Sequence, residues 1–455
     1  MAFSNIDQLT QGNLLHIVFN NEIYNQISAD FRDFELVKRV MRKASLAREY
    51  RFMIQDGYGA AAIQYRNPGT SNRAFPAASK ASVSEKTAKF KEIQATIEID
   101  YNLWDRARKT PEKYAEPLAL EIMSKTSASK RRLAADFHLD GTGVIGTAGA
   151  AGVDTTGANG SVLVTLSSSN TARGHVGAFE YGDLLVNANL DGTLDAPTVV
   201  GTFYAWRIDE KNVENNTVVL RAVDSGGTVL SLTASSIDSG DVLYRVGQPT
   251  LPDLTASIAD YGTLTEVMAG LESLTAADGR VIHGMTMTGA LAGSRFSAGG
   301  NAIDVKYLQR AMDKVKLIVG QDRYKWKQAL CAPATNSSLI ESRESDRRFT
   351  TMEDAKRGTK VFGYQHGQDF LELVTSEYCP AKRIWIIPES KAGQKVIEYQ
   401  GSEFETVRME GTGDFHLKAT SSGYVNSVQS FLNATGVFIA THPAAVAVID
   451  DFTNA

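Results

Sequence analysis

Cysteine is nearly absent from this chain. Only Cys331 and Cys379 occur in 455 residues, far apart and outside any C-x-x-C or Cys/His cluster. That usage argues against a disulfide framework or a thiolate metal site. It leaves two reduced, buried small hydrophobes, compatible with synthesis in a reducing cytoplasm. The seven histidines (His16, His138, His175, His283, His366, His416 and His442) show no H-x-H or H-x-x-x-H spacing, so no zinc site is expected. Basic charge is not in excess: 47 Lys and Arg face 52 Asp and Glu, for a net charge of −5. A dedicated DNA or RNA binder would carry a basic patch or tail, and the cations here are spread out. Apolar runs such as LLHIVF and RIWIIP are too short to cross a bilayer. The N-terminus MAFSNIDQLTQGN lacks a basic region followed by an apolar stretch, so no secretory signal is expected. No G-x-x-x-x-G-K-[ST] phosphate loop occurs.

What is present is an ordinary globular composition, 43% apolar and 22% charged, long enough for two to four domains. Residues 110–143 organise the rest. Thr110 suits an N-cap and Pro111 a first helical position, while Asp140-Gly141-Thr142-Gly143 supplies residues that end a helix. Ala115, Leu118, Ile122, Thr126, Ser129, Leu133 and Phe137 fall on one face. Pro117 would remove a helical hydrogen bond, so the helix is either kinked there or starts there. Its Ser/Thr centre suits a helix lying across a surface rather than filling a core.

Before this stretch, residues 1 to about 50 read as helical, with Ile23, Ile27, Phe31, Phe34, Val37 and Met41 on one stripe. Lys38, Arg39, Arg42, Lys43 and Arg48 crowd its end, either as cations at a helix C-terminus or as an arm on a neighbouring subunit. Residues 51–101 form a long excursion with a polar middle (NPGTSNRAFPAASKASVSEK). Its return limb is the cleanest strand in the chain, Ile93, Ala95, Ile97, Ile99 and Tyr101 alternating with polar residues. A projecting two-stranded loop is expected, which is weak without a partner surface.

After the helix, from 144 to about 250, Lys nearly vanishes (Lys211 alone) and Gly, Thr, Ser, Val and Asp dominate. Short runs SVLVTL, DLLVNANL, PTVVGTFYAWRI, NTVVLRAV, GTVLSLTA and DVLYRV alternate with turn signals, predicting a small antiparallel barrel or sandwich. Two helical stripes follow: Leu264, Val267, Met268, Leu271 and Leu274, then Ile303, Tyr307, Leu308, Ala311, Val315 and Ile318, closed by Gly320. From about 361 onward the chain is β-rich.

Residues that mimic chemistry have plainer readings. Gly141, Gly143 and Gly146 match G-x-G-x-x-G, but they end a helix and lead into glycine-rich coil, whereas a dinucleotide loop must follow a strand and open a helix. Ser127 and Lys130 fit S-x-x-K without the partner motifs. No catalytic residue, cofactor or metal ligand is assigned, and an enzyme is not expected. The run Glu341, Arg343, Glu344, Asp346, Arg347, Arg348 is either a solvated face of little energetic worth or an inter-subunit contact in which mixed charge sets register.

Three stretches carry a resemblance: LAADFHLDGTG closing the helix, ALCAPATNSSLIESRESDRRF, and CPAKRIWIIPESKAGQKVIEYQGSEFETV through THPAAVAVI. Their order resembles the major capsid proteins of tailed bacteriophages, the Hong Kong 97 capsid fold. The resemblance implies an α+β fold with an N-terminal arm (1–50), an extended E-loop (51–101) and a P-domain with its spine helix (102–146). A β-rich insert (147–250), an A-domain (251–385) and closing P-domain β-structure (386–455) follow. It also implies self-assembly as hexamers and pentamers around double-stranded DNA contacted non-specifically, with portal, scaffolding and decoration proteins as partners and no membrane. Assembly in a host bacterial cytoplasm and a place in the virion capsid go with it. Lys80, Lys86, Arg343, Glu344, Asp346, Arg347 and Arg348 are then the candidate inter-subunit contacts. Some members crosslink an E-loop lysine to a neighbour's asparagine. Lys80, Lys86, Lys89, Lys91 and Asn336 are the candidates, and no crosslink is expected. Rival readings are a nanocompartment shell of the same fold, and a surface or tail protein with a carbohydrate-binding β domain.

Overall fold

In the computed structural model of the chain, the residues described are 38–40, 49–57, 82–101, 117–141, 143–157, 160–167, 175–189, 194–212, 215–245, 268–320, 324–342, 363–366, 369–390, 395–401, 405–406, 416–420 and 423–454. The first elements are β1 (Lys38–Val40), β2 (Glu49–Gly57), β3 (Ser82–Lys89) and β4 (Lys91–Asp100). The expected helix over 1–50 is corrected at Lys38–Val40, which is a strand. The rest of that stripe, with Thr110 and Pro111, lies outside the described residues. The loop is also re-registered. β2 pairs antiparallel with β3, from Glu49↔Lys89 to Gly57↔Ser82, so the return limb begins inside the stretch read as polar and aperiodic. The alternating strand, β4, belongs instead to the body. Its alternation reports burial on that sheet: Ile97 is fully buried there, while Glu92, Gln94 and Thr96 are exposed.

Helix α1 (Pro117–His138) at 1.5 Å per residue runs about 33 Å. Leu133, Ala134, Ala135 and Phe137 are buried, each large side chain contributing about 1.5–3 kcal/mol of burial. Gly141 (φ 75°) and Gly143 (φ 83°) then take left-handed conformations that stop the helix.

The next segment is β-structure: β5 (Val144–Thr147), β6 (Val153–Thr155), β7 (Ser161–Thr165), β8 (Leu184–Ala188), β9 (Leu194–Asp195), β10 (Thr198–Val200), β11 (Ala205–Asn212), β12 (Thr217–Val223), β13 (Ser231–Ala234) and β14 (Val242–Arg245). Residues 144–147, between the glycines that end the helix and the glycine-rich stretch after it, are a strand: pairing with β14 and burial of Val144 and Ile145 outweigh weak local propensity. The strand order is β5-β14-β8-β11-β12-β7-β6. Gly149 N–H donates to Thr165 O and Ser167 N–H to Thr147 O, both at 2.7 Å, joining the end of β7 back to β5. A ring of strands thereby closes into a barrel, filled by Val162, Val164, Leu185, Trp206, Ile208, Val218, Leu220 and Leu243. Trp206 Nε1 donates to buried Asn187 Oδ1 at 2.9 Å, so the polar atoms inside are paired.

Beyond the barrel come α2 (Leu271–Leu274), β15 (Val281–Ile282), β16 (Met285–Thr286), β17 (Ser294–Ser297), α3 (Val305–Val319), β18 (Tyr324–Cys331), α4 (Pro333–Glu341), β19 (Gly363–His366), β20 (Asp369–Thr375), β21 (Arg383–Ser390), β22 (Ile397–Gly401), β23 (Glu405–Thr406), β24 (His416–Thr420), β25 (Gly423–Ala440) and β26 (Ala447–Asp450). Of the helical stripe read over 264–274, Met268–Gly270 is not helical and Leu271–Leu274 is, while Leu264 and Val267 lie outside the described residues. The reason is packing: a Cβ on Gly270 would lie 2.4–2.5 Å from the carbonyl oxygens of Asp136, Phe137 and Leu139, so the chain presses on the end of α1. The second stripe is α3, ended by Gly320 at φ 102°.

Two sheets make the body. A mixed sheet ordered β17-β26-β21-β18-β20-β19 carries α3, whose Val305, Leu308, Met312 and Val315 pack on Trp326, Ile384, Ile386 and Ile449. The other is built on the long β25, with β4 along one edge from Gly436↔Lys91 to Ser427↔Asp100. β22, β23 and β24 follow one another along the opposite edge, and β1 adds parallel to β22. α1 lies on this sheet, Phe137 meeting Phe438 at 5.0 Å between ring centroids.

Candidate assembly surfaces

The β2–β3 hairpin has two unlike faces. Inward, Ile54 packs with Ala276, Met285 and Met287. Ala88 packs on Val437 and Ile439, with Tyr50, Phe52 and Phe90 at the margin. Outward, Met53 is 75% and Val83 58% exposed, an apolar pair on a wet face. Beside them Arg51 and Glu85 approach to 3.4 Å, both well exposed, which is worth little. Phe90 separates β3 from β4 and is outside both strands, so the hairpin leaves the body sheet at a single residue.

Of the contact candidates taken from the sequence, Lys86 is described. Its ammonium donates to the Gly284 carbonyl oxygen of the same chain at 3.1 Å, tying the hairpin to the β15–β16 turn. Lys80, Arg343, Glu344, Asp346, Arg347 and Arg348 lie outside the described residues. Lys89 and Lys91 line a cleft of about 630 Å³ with Thr87, Arg280, His283 and Asp140. Asn336 sits in α4, its Oδ1 buried and without a hydrogen-bond partner among the described residues.

Reading the sequence missed a buried ionic joint between the barrel and α1. Residues 175–183 lie between them. Arg245, from β14, places Nε 2.6 Å from Asp183 Oδ2 and Nη1 3.5 Å from Asp136 Oδ1. Its Nη2 donates to Ala178 O at 2.6 Å. Arg131 of α1 donates to Glu180 at 3.4 Å, and the Tyr378 hydroxyl donates to the other Glu180 oxygen at 3.1 Å. Burial pushes the Asp136 carboxyl up, while Arg245 and Arg132 pull it back. Burial also works against charge on Arg245, but Asp183 and Asp136 outweigh it and hold the guanidinium above its usual value. The signal was faint: single charges inside apolar runs, Asp136 in ADFH, Asp183 before LLV and Arg245 after VLY.

A second network ties the mixed sheet to α2. Arg295 pairs with Glu272 at 2.7 Å and with Asp450 at 3.4 Å, and Arg383 binds the other Glu272 oxygen. Both cysteines are buried and neither forms a disulfide, and burial pushes the Cys331 thiol up to about 12. Among the described residues no three His, Cys, Asp or Glu side chains gather as a metal site, and no helix is long and apolar enough to cross a membrane.

This α+β architecture is the Hong Kong 97-type capsid fold: long helix on a β25-centred sheet, E-loop hairpin and mixed α/β domain. The overlap is with the capsid of cyanophage A-1(L), at a TM-score of 0.51 over 98% of this chain and 99% of that one, with 9% identity. The capsid of Myoviridae phage XM1 matches at 0.45 over 95% of both chains with 7% identity. The SrpI encapsulin of Synechococcus elongatus PCC 7942 matches at 0.42 over 100% of this chain and 98% of that one, with 6% identity. No family model matches the sequence, and no curated protein matches it.

Proposed function

We propose that this chain is a capsid-type shell protein, and specifically the major capsid protein of a tailed phage. Many copies, as hexamers and pentamers, form an icosahedral head around double-stranded DNA. The observation that carries this reading is the end-to-end overlap with the cyanophage A-1(L) capsid chain, 98% of one and 99% of the other. A fold shared over whole chains leaves little of either outside the shell-forming architecture. The role is structural rather than catalytic. Residues 1–50 act as the arm, 51–101 as the E-loop, and the barrel of 147–250 is an insertion presented from the spine helix.

The hairpin supports the assembly reading on physical grounds. A two-stranded ribbon is marginal alone, and the outward Met53 and Val83 gain by burial against a neighbouring subunit. The chain's net charge of −5 gives no attraction for DNA as a whole, so contact with the packaged duplex is non-specific and local. Particles purified from infected or expressing cells, treated with nuclease and then opened, test the phage role. Protected double-stranded DNA supports it. A reproducible enzyme cargo in place of DNA points to a nanocompartment shell, and specific glycan binding by the full chain without particles points to a surface protein.

A further inference from the structure

Residues 175–183 seat the barrel on the body, and His175 opens that segment. Its amide donates to Ile145 O at 2.9 Å and its carbonyl accepts from Ala178 N–H at 3.0 Å, so its backbone is fixed from both sides. The side chain is buried, and neither Nδ1 nor Nε2 has a hydrogen-bond partner among the described residues. Gly177 allows this close fit: a Cβ there would stand 2.2 Å from Glu377 O and 3.0 Å from His175 Nδ1. An imidazole in such a place holds one proton at a cost already, and a second has nowhere to donate.

The surroundings are cationic or committed. Arg383 from β21 and Lys211 from β11 bring a field that opposes a positive charge on the ring, and a proton on His138 of α1 would add to it. Lys211 donates its own Nζ to Phe179 O at 2.8 Å, within the same segment. α1 also brings Arg131, Arg132 and Asp136, and the segment itself carries Glu180 and Asp183. The carboxylates have partners: Asp136 and Asp183 meet Arg245, and Glu180 meets Arg131 and Tyr378. Glu377 presents its backbone carbonyl to Gly177.

We propose that this seat is an acid-released joint, in which a proton on His175 detaches the barrel from the spine helix while both remain folded. Burial first, then His138, Arg383 and Lys211, hold the His175 pKa well below its ordinary value. The seated form therefore keeps the ring neutral, while a released ring takes its proton near pH 6.5. Seating is fully favoured above about pH 6.5. Below it, the ratio of released to seated barrel rises by up to about tenfold per pH unit until the seated ring itself titrates. Asp136 acts in the opposite sense, because burial raises its pKa and the seated form takes up that proton first. A histidine variant separates the two.

Hydrogen exchange of the full chain between about pH 7.5 and 4.5, expressed as protection factors, tests the joint. Protection over 175–183 is expected to fall about tenfold per pH unit below about 6.5, while strands β11 and β12 keep theirs. His175→Gln is expected to flatten the response and His138→Gln to retain it. Flat wild-type protection overturns the proposal. So does an unchanged fall in His175→Gln, a fall abolished by His138→Gln alone, or a loss of β11–β12 protection in step with the seat. Should His175→Gln fail to fold, NMR titration of the wild-type imidazole decides: protonation well below the ordinary value and in step with lost protection over 175–183 supports the joint, and an ordinary value near 6.5, or protonation without that loss, overturns it.

Discussion

Replacing Arg245 by methionine keeps much of the side chain's length and removes its charge from between Asp136 and Asp183. Both carboxylates lose their nearest guanidinium, and Asp136 has only 7% of its side chain exposed. Removing one partner of a buried ion pair costs about 3–5 kcal/mol, because the other charge remains desolvated. Two features pull the figure to about 3 kcal/mol. Asp183 keeps 31% of its side chain in water. Arg132, which Arg245 repels and which itself attracts Asp136, is relieved and takes over part of the countercharge. For a domain of about 100 residues, 1 kcal/mol moves Tm by about 4–8 °C, so the barrel transition is expected to drop on the order of 12–24 °C. In the variant the Asp136 carboxyl rises further, so the loss shrinks as pH falls, by up to about 1.4 kcal/mol per unit. Calorimetry at pH 7.5, above the range in which His175 responds, measures the loss. The Arg245→Met/Asp136→Asn double variant is expected to recover more than half of it. A single-variant loss under about 1 kcal/mol, or a double variant no better than the single, refutes the assignment of a buried ionic joint.

Other consequences are sharper in kind than in size. Gly436→Ala places a Cβ 2.1 Å from the Tyr399 hydroxyl oxygen, and Tyr399 is 1% exposed; urea denaturation should register a loss of about 1–3 kcal/mol or more. Cys331, with its thiol pushed up to about 12, should react with a disulfide reagent in the folded chain at least about a hundredfold slower than in the unfolded one, and equal rates would contradict its burial. Lys86→Met removes the contact to Gly284 O; stability should change by under about 1 kcal/mol, while exchange of the β2 amides quickens several-fold.

Local signals reached the elements whose pattern matches their burial. The stripe of α3 is apolar at helical spacing because that face alone meets the mixed sheet, and Gly320 marks its end. The barrel strands β7, β11 and β12 alternate because one face fills the barrel and the other is wet. Elements set by distant partners were misread. Lys38–Val40 carries two cations and looks helical, yet it adds to the edge of β22, far along the chain. Gly270 broke an otherwise regular stripe because it crosses the end of α1. The ionic joint was illegible for the same reason: Asp136, Asp183 and Arg245 meet only once the barrel is closed and seated. The inter-subunit candidates fared differently, since Lys86 was visible as an exposed-loop lysine but its engagement with Gly284 depends on the hairpin's fold.

Electron microscopy of the expressed chain, with and without the products of its neighbouring genes, shows whether it builds a shell. Closed icosahedral shells built from this chain are expected, with the barrel projecting as density added to a Hong Kong 97-type subunit. A chain that stays monomeric under every such condition, and never closes a shell, contradicts that expectation.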